Sequence, residues 1–411
     1  MKLAEQEKAM AGGEFGPVMQ TAIRHQIAVG EFFGASEMVE VSQAHIMADT
    51  ESLGEAGVQW LESLASAPLT QRLVRIPTIT DPRGTDFAKA HLLGQTPRML
   101  GLEERAIHAF RKLGVTMTDT CINYQTIMAP VLGEHVAFGD TGVVIYSNSV
   151  CGARSNFEGG PSALSAGLTG RTPRYGFHLD DQRRATRRFR VRHTPTTLNE
   201  WGALGGLIGR RAGNYWEVPW IEGIDSPPTS DALKHFGAAM ASFGSVALFH
   251  IAGITPEARV NPALGSTTRG DVSDITLSDI EALTASYRVT DTVDVVVFSA
   301  PQLSLIEMRD LAALCEGRRF TVPLLAVTSP QVKPDADRLG YSRSIEEAGG
   351  NVMSGMCFYQ SYAREIAEAN GWKRLATNSA KMVNILGGYG YVPMLASMEQ
   401  CVDAAVTGRL S

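Results

Sequence analysis

The sequence predicts an α/β protein with mainly parallel sheets and several domains, on three observations. From Val293 onward, strand and helix patterns alternate three times in a row, as parallel strands with right-handed crossovers require. Between residues 1 and 116, short apolar runs alternate with stretches of helical period. The length of 411 residues exceeds one ordinary core. The expected divisions are an N-terminal α/β region (1–116), a central region bearing most polar motifs (117–290) and a C-terminal βαβαβα domain (291–411).

Phe15, Val18, Ala22, Ile23 and Ile27 recur at helical spacing. Met38 to Val41 reads as a strand running toward His45, and Glu55 to Leu64 as a helix. Leu73 to Ile76 reads as another strand, leading to Thr78, Thr80 and an Asp81-Pro82-Arg83-Gly84 turn. Pro97 starts a helix that Gly114 closes. Val115, Met117 and Cys121 share the phase of a half-buried strand, with Asp119 polar in that phase, and Val143 to Ile145 reads as a buried strand. Trp201 to Ala212 and Asp231 to Ser242 are helical, Val246 to Ile251 is a strand, and 254–290 has no clear period. Strands follow at Val293–Phe298, Leu324–Val327 and Val352–Phe358. Helices follow at Ser304–Leu314, Pro334–Ala348 and Tyr362–Ala369. Ser304 and Glu307 form a capping box for the first of these helices.

Composition narrows the class. Hydrophobic content is 44% and charged content 19%, as in a soluble enzyme, and the net charge of −6 argues against nucleic-acid or anionic-membrane partners. No apolar run reaches the roughly 18 residues a membrane span needs. Met1 to Met10 is charged and unlike a signal peptide. Five scattered cysteines make no disulfide framework, which points to the cytoplasm. Arg183, Arg184, Arg187, Arg188, Arg190 and Arg192 lack an aromatic platform. They read as a charged edge strand or a subunit contact. No dinucleotide, P-loop or nucleophile-elbow motif occurs.

Met117 to Asn156 holds the densest chemistry. Cys121 and Cys151 lie beside expected strand ends. Asn148, Ser149 and Arg154 offer uncharged donors and a planar fork for a carboxylate. In the C-terminal units, Ala300-Pro301-Gln302 and Cys357 fall near strand ends, where ligands collect in parallel sheets. His45 follows a strand and could move a proton.

Four segments in order carry a family resemblance: Thr120-Cys121-Ile122-Asn123-Tyr124, Pro130 with Gly133-Glu134, Asn148 to Asn156, and Gly170 to His178. They resemble the large, catalytic subunit of the aconitase X family, and the likeness runs from about Glu14 to Lys381. The resemblance implies an aconitase-like α/β body lacking the swivelling fourth domain, and dehydration of a small hydroxy acid. The first expectation is cis-3-hydroxy-L-proline going to a pyrroline carboxylate. Mevalonate 5-phosphate is the alternative, and a non-catalytic subunit that kept the fold is a third reading. Such chemistry needs help for a poor leaving group, a base for a weak carbon acid and a carboxylate clamp.

The resemblance also implies an iron–sulfur cluster on Cys121 and Cys357. Family members carry Gly-Cys-Pro-His where this chain has Ser299-Ala300-Pro301-Gln302, so Cys151 is the candidate third ligand, or the cluster is altered. Lys381, His45 and Ser149 are the expected catalytic residues, with Lys381 ending an Asn-Ser-x-Lys motif. Asn148, Arg154, Asn156, Thr78, Thr80, Tyr124, Gln302 and Ser379 are the expected substrate contacts. About one helix remains after Lys381, too little for a domain. A small swivel subunit is therefore expected as a separate polypeptide in a hetero-oligomer, docked near Arg183–Arg192 over an open cleft at Cys121.

Overall fold

A computed structural model describes residues 1–267 and 272–411. It is a mixed α/β architecture with four sheets, most of whose pairings are parallel. The first strands are short: β1 Met38–Glu40, β2 Ala44–Ile46, β3 Thr78–Thr80, β4 Ala137–Phe138 and β5 Arg171–Pro173. β1 and β5 pair antiparallel, and β3-β2-β4 form a parallel sheet. This second sheet joins residues from both sides of position 116, so the first boundary expected from the sequence cuts through it.

A second parallel sheet contains β6 Arg187–Val191, β7 Pro219–Glu222, β8 His250–Ile251 and β9 Ser273–Ile275, in the order β8-β7-β6-β9. β6 therefore lies inside the sheet, which corrects the reading of an exposed, charge-protected edge. Two arginines in and just after the strand are matched by acids: Arg188 lies 3.3 Å from Glu222 and Arg192 lies 3.0 Å from Asp274. Arg183 is not a surface charge at all, being buried against Glu257 at 2.7 Å. Within 254–290, the stretch without a period, helices cover Pro256–Val260 and Leu277–Ser286. Residues 268–271 lie outside the described residues.

The C-terminal sheet has five parallel strands: β10 Val295–Leu303, β11 Leu324–Thr328, β12 Asn351–Ser354, β13 Arg374–Thr377 and β14 Val392–Leu395. Their order is β12-β11-β10-β13-β14. Sequence period found the first three. The last two are four residues each, and β14 carries Pro393, which suits its place at the sheet edge. The capping box predicted at Ser304 is present: Glu307 N donates to Ser304 Oγ and Ser304 N to Glu307 Oε2. The expected helix 334–348 is two helices, Lys333–Arg338 and Tyr341–Glu347, separated by Gly340 at φ 84°.

Three expected strands do not form. Leu73–Ile76 is not a strand, and the extended segment starts instead at Thr78. Val115–Cys121 contributes one bridge, Ile79 to Thr116, before Asp119 turns left-handed at φ 52°. Val143–Ile145 lies in a buried helix, Thr141–Tyr146, because Asp140 caps it by accepting from Val143 N at 3.0 Å. A short buried apolar run has no period that separates strand from helix.

Candidate functional site

Parallel sheets collect ligands at the carboxyl ends of their strands, where strand order reverses. In the C-terminal sheet that place lies between β10 and β13. After β13, Ser379 donates to Ala300 O at 2.7 Å and caps the helix Ala380–Leu386 through Met382 N. The cap sets Lys381 in the first helical turn, where its Nζ lies 3.4 Å from Asp140 Oδ1 and 5.2 Å from the Tyr359 ring centre. Asp140 thus serves two groups, the helix cap through Oδ2 and Lys381 through Oδ1. A Cβ at Gly142 would stand 3.0 Å from Asp140 Oδ2 and 3.7 Å from Lys381 Nζ, so glycine leaves room for the pair.

Burial works against the charge on both partners and their mutual attraction overcomes it. Lys381 is held above the ordinary lysine range and Asp140 below the ordinary carboxylate range. The two shifts agree on an ion pair. Lys381 is therefore an ammonium, suited to hold a carboxylate and unsuited to act as a base.

A second pair comes from the ends of β2 and β3. His45 is fully buried, with Nε2 2.9 Å from Thr120 O and 3.6 Å from Asp81 Oδ1. A carbonyl only accepts, so Nε2 carries the proton and Nδ1 keeps its lone pair. Nδ1 and Asp81 Oδ1 both lack a hydrogen-bond partner, while Gln360 donates to Asp81 Oδ2 at 3.2 Å. Burial, then the Asp140 charge, pushes the Asp81 carboxyl well above its usual range; burial pushes His45 below its own. Both shifts favour the uncharged forms, an imidazole beside a carboxyl that holds its proton more tightly than usual. Asp81 and Asp140 influence each other, and both act on Cys121, Cys357 and Tyr359. The floor is one electrostatic cluster.

The thiols frame it. Burial, then Asp81 and Asp140, pushes Cys121 up to about 12, and burial and Cys121 push Cys357 up. Gln302 straps their loops together. Its Nε2 donates to Asp119 O at 3.1 Å and to Met356 O at 3.2 Å, and its Oε1 accepts from Cys121 N at 3.3 Å. Its backbone N lies 3.4 Å from Cys121 Sγ. Behind it, Lys234 donates to Gln302 O at 3.1 Å and pairs with Glu307, which also takes His235 at 2.7 Å. Burial opposes the Glu307 charge, but Lys234 and His235 bring its carboxyl down to about 2.

These residues do not fit a cluster held by three cysteines. Position 300 offers a buried methyl. Among the described residues no three His, Cys, Asp or Glu side chains stand together as metal ligands. Cys151 ends a π-helical turn, Ser147–Cys151, where its charged neighbour is Glu134.

The remaining expected contacts lie in other networks. Asn148 donates to Ser155 O and Ala247 O and accepts from Ser155 N, each at 2.9 Å. Ser149 Oγ accepts from Phe249 N at 2.9 Å. Asn156 accepts from Phe177 N and Tyr215 and donates to Tyr175 O. Arg154 pairs with Asp180 and donates to His178 O at 3.2 Å. Thr78 donates to Ile76 O, and Thr80 exchanges hydrogen bonds with Asp119. Tyr124 stacks on Tyr146 at 3.8 Å. Cys121 is 7% exposed and Lys381 5%, so among the described residues the open cleft expected over Cys121 is absent. Asp81, Asp140 and Tyr359 are floor residues that the sequence reading missed. Asp81 follows Thr80 at a strand end, and an Asp-Thr-Gly helix start marks Asp140; both signals were legible.

Family models match in three parts: aconitase X first domain over residues 1–181, second domain over 185–285 and third domain over 293–407. The phosphomevalonate dehydratase large subunit of Methanothermobacter thermautotrophicus is 34% identical over 97% of this chain and 95% of that one. The cis-3-hydroxy-L-proline dehydratase of Pseudomonas aeruginosa is 32% identical over 98% of this chain and 70% of its own length. The crystal structure of Thermococcus kodakaraensis aconitase X (holo-form) superposes with a TM-score of 0.87 at 30% identity, covering 98% of this chain and 100% of that one.

Proposed function

Because the chain belongs to the aconitase X family and is a dehydratase of the large-subunit type, we propose that it removes water from a small hydroxy acid on the floor built by Lys381, Asp140, His45 and Asp81. In this reading Lys381 holds the substrate carboxylate. Hydroxide leaves poorly, so a proton must reach the departing oxygen as the carbon acid loses its own. His45 Nδ1 takes the proton from carbon, and the electrons released form the double bond. The C–O bond breaks onto oxygen, which receives the Asp81 proton and leaves as water. This leaves an imidazolium beside a carboxylate, with Nε2 and Oδ1 3.6 Å apart; Nε2 returns a proton to Asp81, and loss of the Nδ1 proton to water with uptake of one at Nε2 restores the starting tautomer. Ser149 has no part in the step, since its hydroxyl serves Phe249 N.

One observation carries the choice of substrate. The charged groups of the floor are a single ion pair, Lys381 and Asp140 3.4 Å apart, one cation beside one anion. That matches a zwitterion, whose carboxylate meets Lys381 and whose ammonium meets Asp140. It supports cis-3-hydroxy-L-proline. Mevalonate 5-phosphate brings two anionic groups, a carboxylate and a phosphate, to a floor whose one cation stands beside a carboxylate. The second reading rests on relatives: large subunits of phosphomevalonate dehydratase recur among the matches, at up to 34% identity. Their designation as large subunits also supports a separate small polypeptide as partner. A cluster remains an inference from the family. Cys121 and Cys357 are the thiols the floor would offer it, and no step above depends on it.

The test is turnover by the chain co-expressed with its small subunit. Release of a pyrroline carboxylate from cis-3-hydroxy-L-proline, with none of the anhydro product from mevalonate 5-phosphate, is the expected result. The reverse selects the second reading. No turnover of either by the assembled protein rejects both.

A further inference from the structure

Away from the floor, one buried acid has no charge partner and faces open space. Glu158 is 5% exposed, and no cation pairs with it among the described residues. Thr172 Oγ1 donates to its Oε1 at 2.9 Å, and Oε2 has no protein partner among the described residues. Glu158 lines a cavity of about 420 Å³ whose walls are mostly aromatic: Phe33, Phe157, Tyr175, Tyr215 and Trp216. Phe33 lies parallel on Tyr175 with ring centres 4.5 Å apart. Tyr215 meets Trp216 edge-on at 4.7 Å and Phe157 at 5.2 Å. Tyr215 is held by donating to Asn156 Oδ1 at 2.9 Å, which sets one wall of the cavity.

We propose that this aromatic cavity is a binding site for a small organic ammonium ion, with Glu158 as its counter-charge. Ring faces are negative and attract weakly hydrated cations, and a buried carboxylate adds a full charge in the same space. Other ligand classes fit poorly. Hard metal ions need six or so oxygen ligands, and Glu158 is the single carboxylate in the lining. An anion would meet that carboxylate. The volume falls in the range of small-molecule cavities, roughly 300–1,000 Å³, and the concave shape favours a free amine over a partner's lysine. Burial also pushes the Glu158 carboxyl up to about 7, as expected of an acid whose cation is missing.

Choline, at constant ionic strength set with sodium chloride and at pH 8, is the probe. Tryptophan fluorescence and calorimetry are the readouts, on the chain together with its partner subunit. Saturable binding is expected, weakened at least about tenfold in Glu158→Gln and in the neutral analogue 3,3-dimethylbutan-1-ol. Glutamine can still accept from Thr172, so that variant should fold. Trp216→Ala, at a half-exposed position, gives a second reading of the same loss by calorimetry. No saturation, equal binding of the alcohol, or unchanged affinity in both variants overturns the site. Binding by the free chain that disappears in the assembly overturns the choice of a free ligand.

Discussion

The polar groups of the strand-end floor and those of the Asn148–Asn156 segment are equally deep but differently satisfied. The Asn148 side chain makes three hydrogen bonds and that of Asn156 three, with every partner a backbone group or Tyr215. On the floor, His45 Nδ1 and Asp81 Oδ1 have none. Leaving a buried polar atom unpaired costs about 1–3 kcal/mol. A fold tolerates that cost where the atom has another use; unpaired buried atoms also occur away from the floor, at Ser147 Oγ, His178 Nε2 and His250 Nδ1, so what marks the floor is two of them on an acid and a base in contact. Depth and residue type do not mark it: both regions are rich in the residue types an active site uses.

The largest effect that would sharpen this contrast is in Lys381→Met. Loss of the ammonium should lower kcat/KM by about 100-fold or more per folded molecule, and it should also cost about 3–5 kcal/mol of stability, because it leaves Asp140 as a buried charge without its partner. Near-normal turnover in this variant would remove the floor from the mechanism.

Asn148→Ala should cost stability alone. It strands Ser155 N, Ser155 O and Ala247 O in a dry interior, so about 2–4 kcal/mol of stability should go. Activity per folded molecule should hold. Denaturant unfolding beside turnover at low temperature gives both numbers, and a stable variant with weakened substrate binding would return Asn148 to the substrate.

Asp81 makes a prediction with a sign. Its carboxyl sits above the ordinary range because of burial and Asp140, so the folded state keeps a proton that the unfolded chain has released. Its stabilising effect is complete at pH values below the ordinary carboxylate range and fades as pH rises through the raised value. Asp81→Asn cannot ionise. It should unfold at a higher temperature than the parent above neutral pH, match it more closely in acid, and lose dehydration. A parent that gains stability over that same rise in pH relative to the variant would mean that Asp81 is ionised.

Much of the fold was legible because strand–helix alternation and the Ser304 capping box are local. His45, Cys121, Cys357 and Gln302 were candidates by position at expected strand ends, and Lys381 through the family motif that it ends. The Asp81–His45 contact was not, because it joins residues 36 apart through the register of β2 on β3. Nor was the Asp140–Lys381 pair, whose members lie 241 positions apart. Arg188 to Arg192 misled for a similar reason: alternation shows which residues share a face and is silent on how many neighbours the strand has.

Arg154 tests the contrast with the smallest expected effect. Its type and motif recommend it as a carboxylate clamp, for which Arg154→Lys would weaken substrate binding by losing the fork. The structure commits the fork elsewhere, to Asp180 and to His178 O. The Asp180 side chain is 81% exposed, and pairs that open to water contribute about 0–1 kcal/mol. Lysine can keep part of that attraction. Arg154→Lys should therefore change stability by under about 0.5 kcal/mol and leave KM where it was. KM is the discriminating quantity, since a surface ion pair has no route to it. A rise of tenfold or more, about 1.4 kcal/mol, with stability intact, would place Arg154 at the substrate and join the two regions into one site.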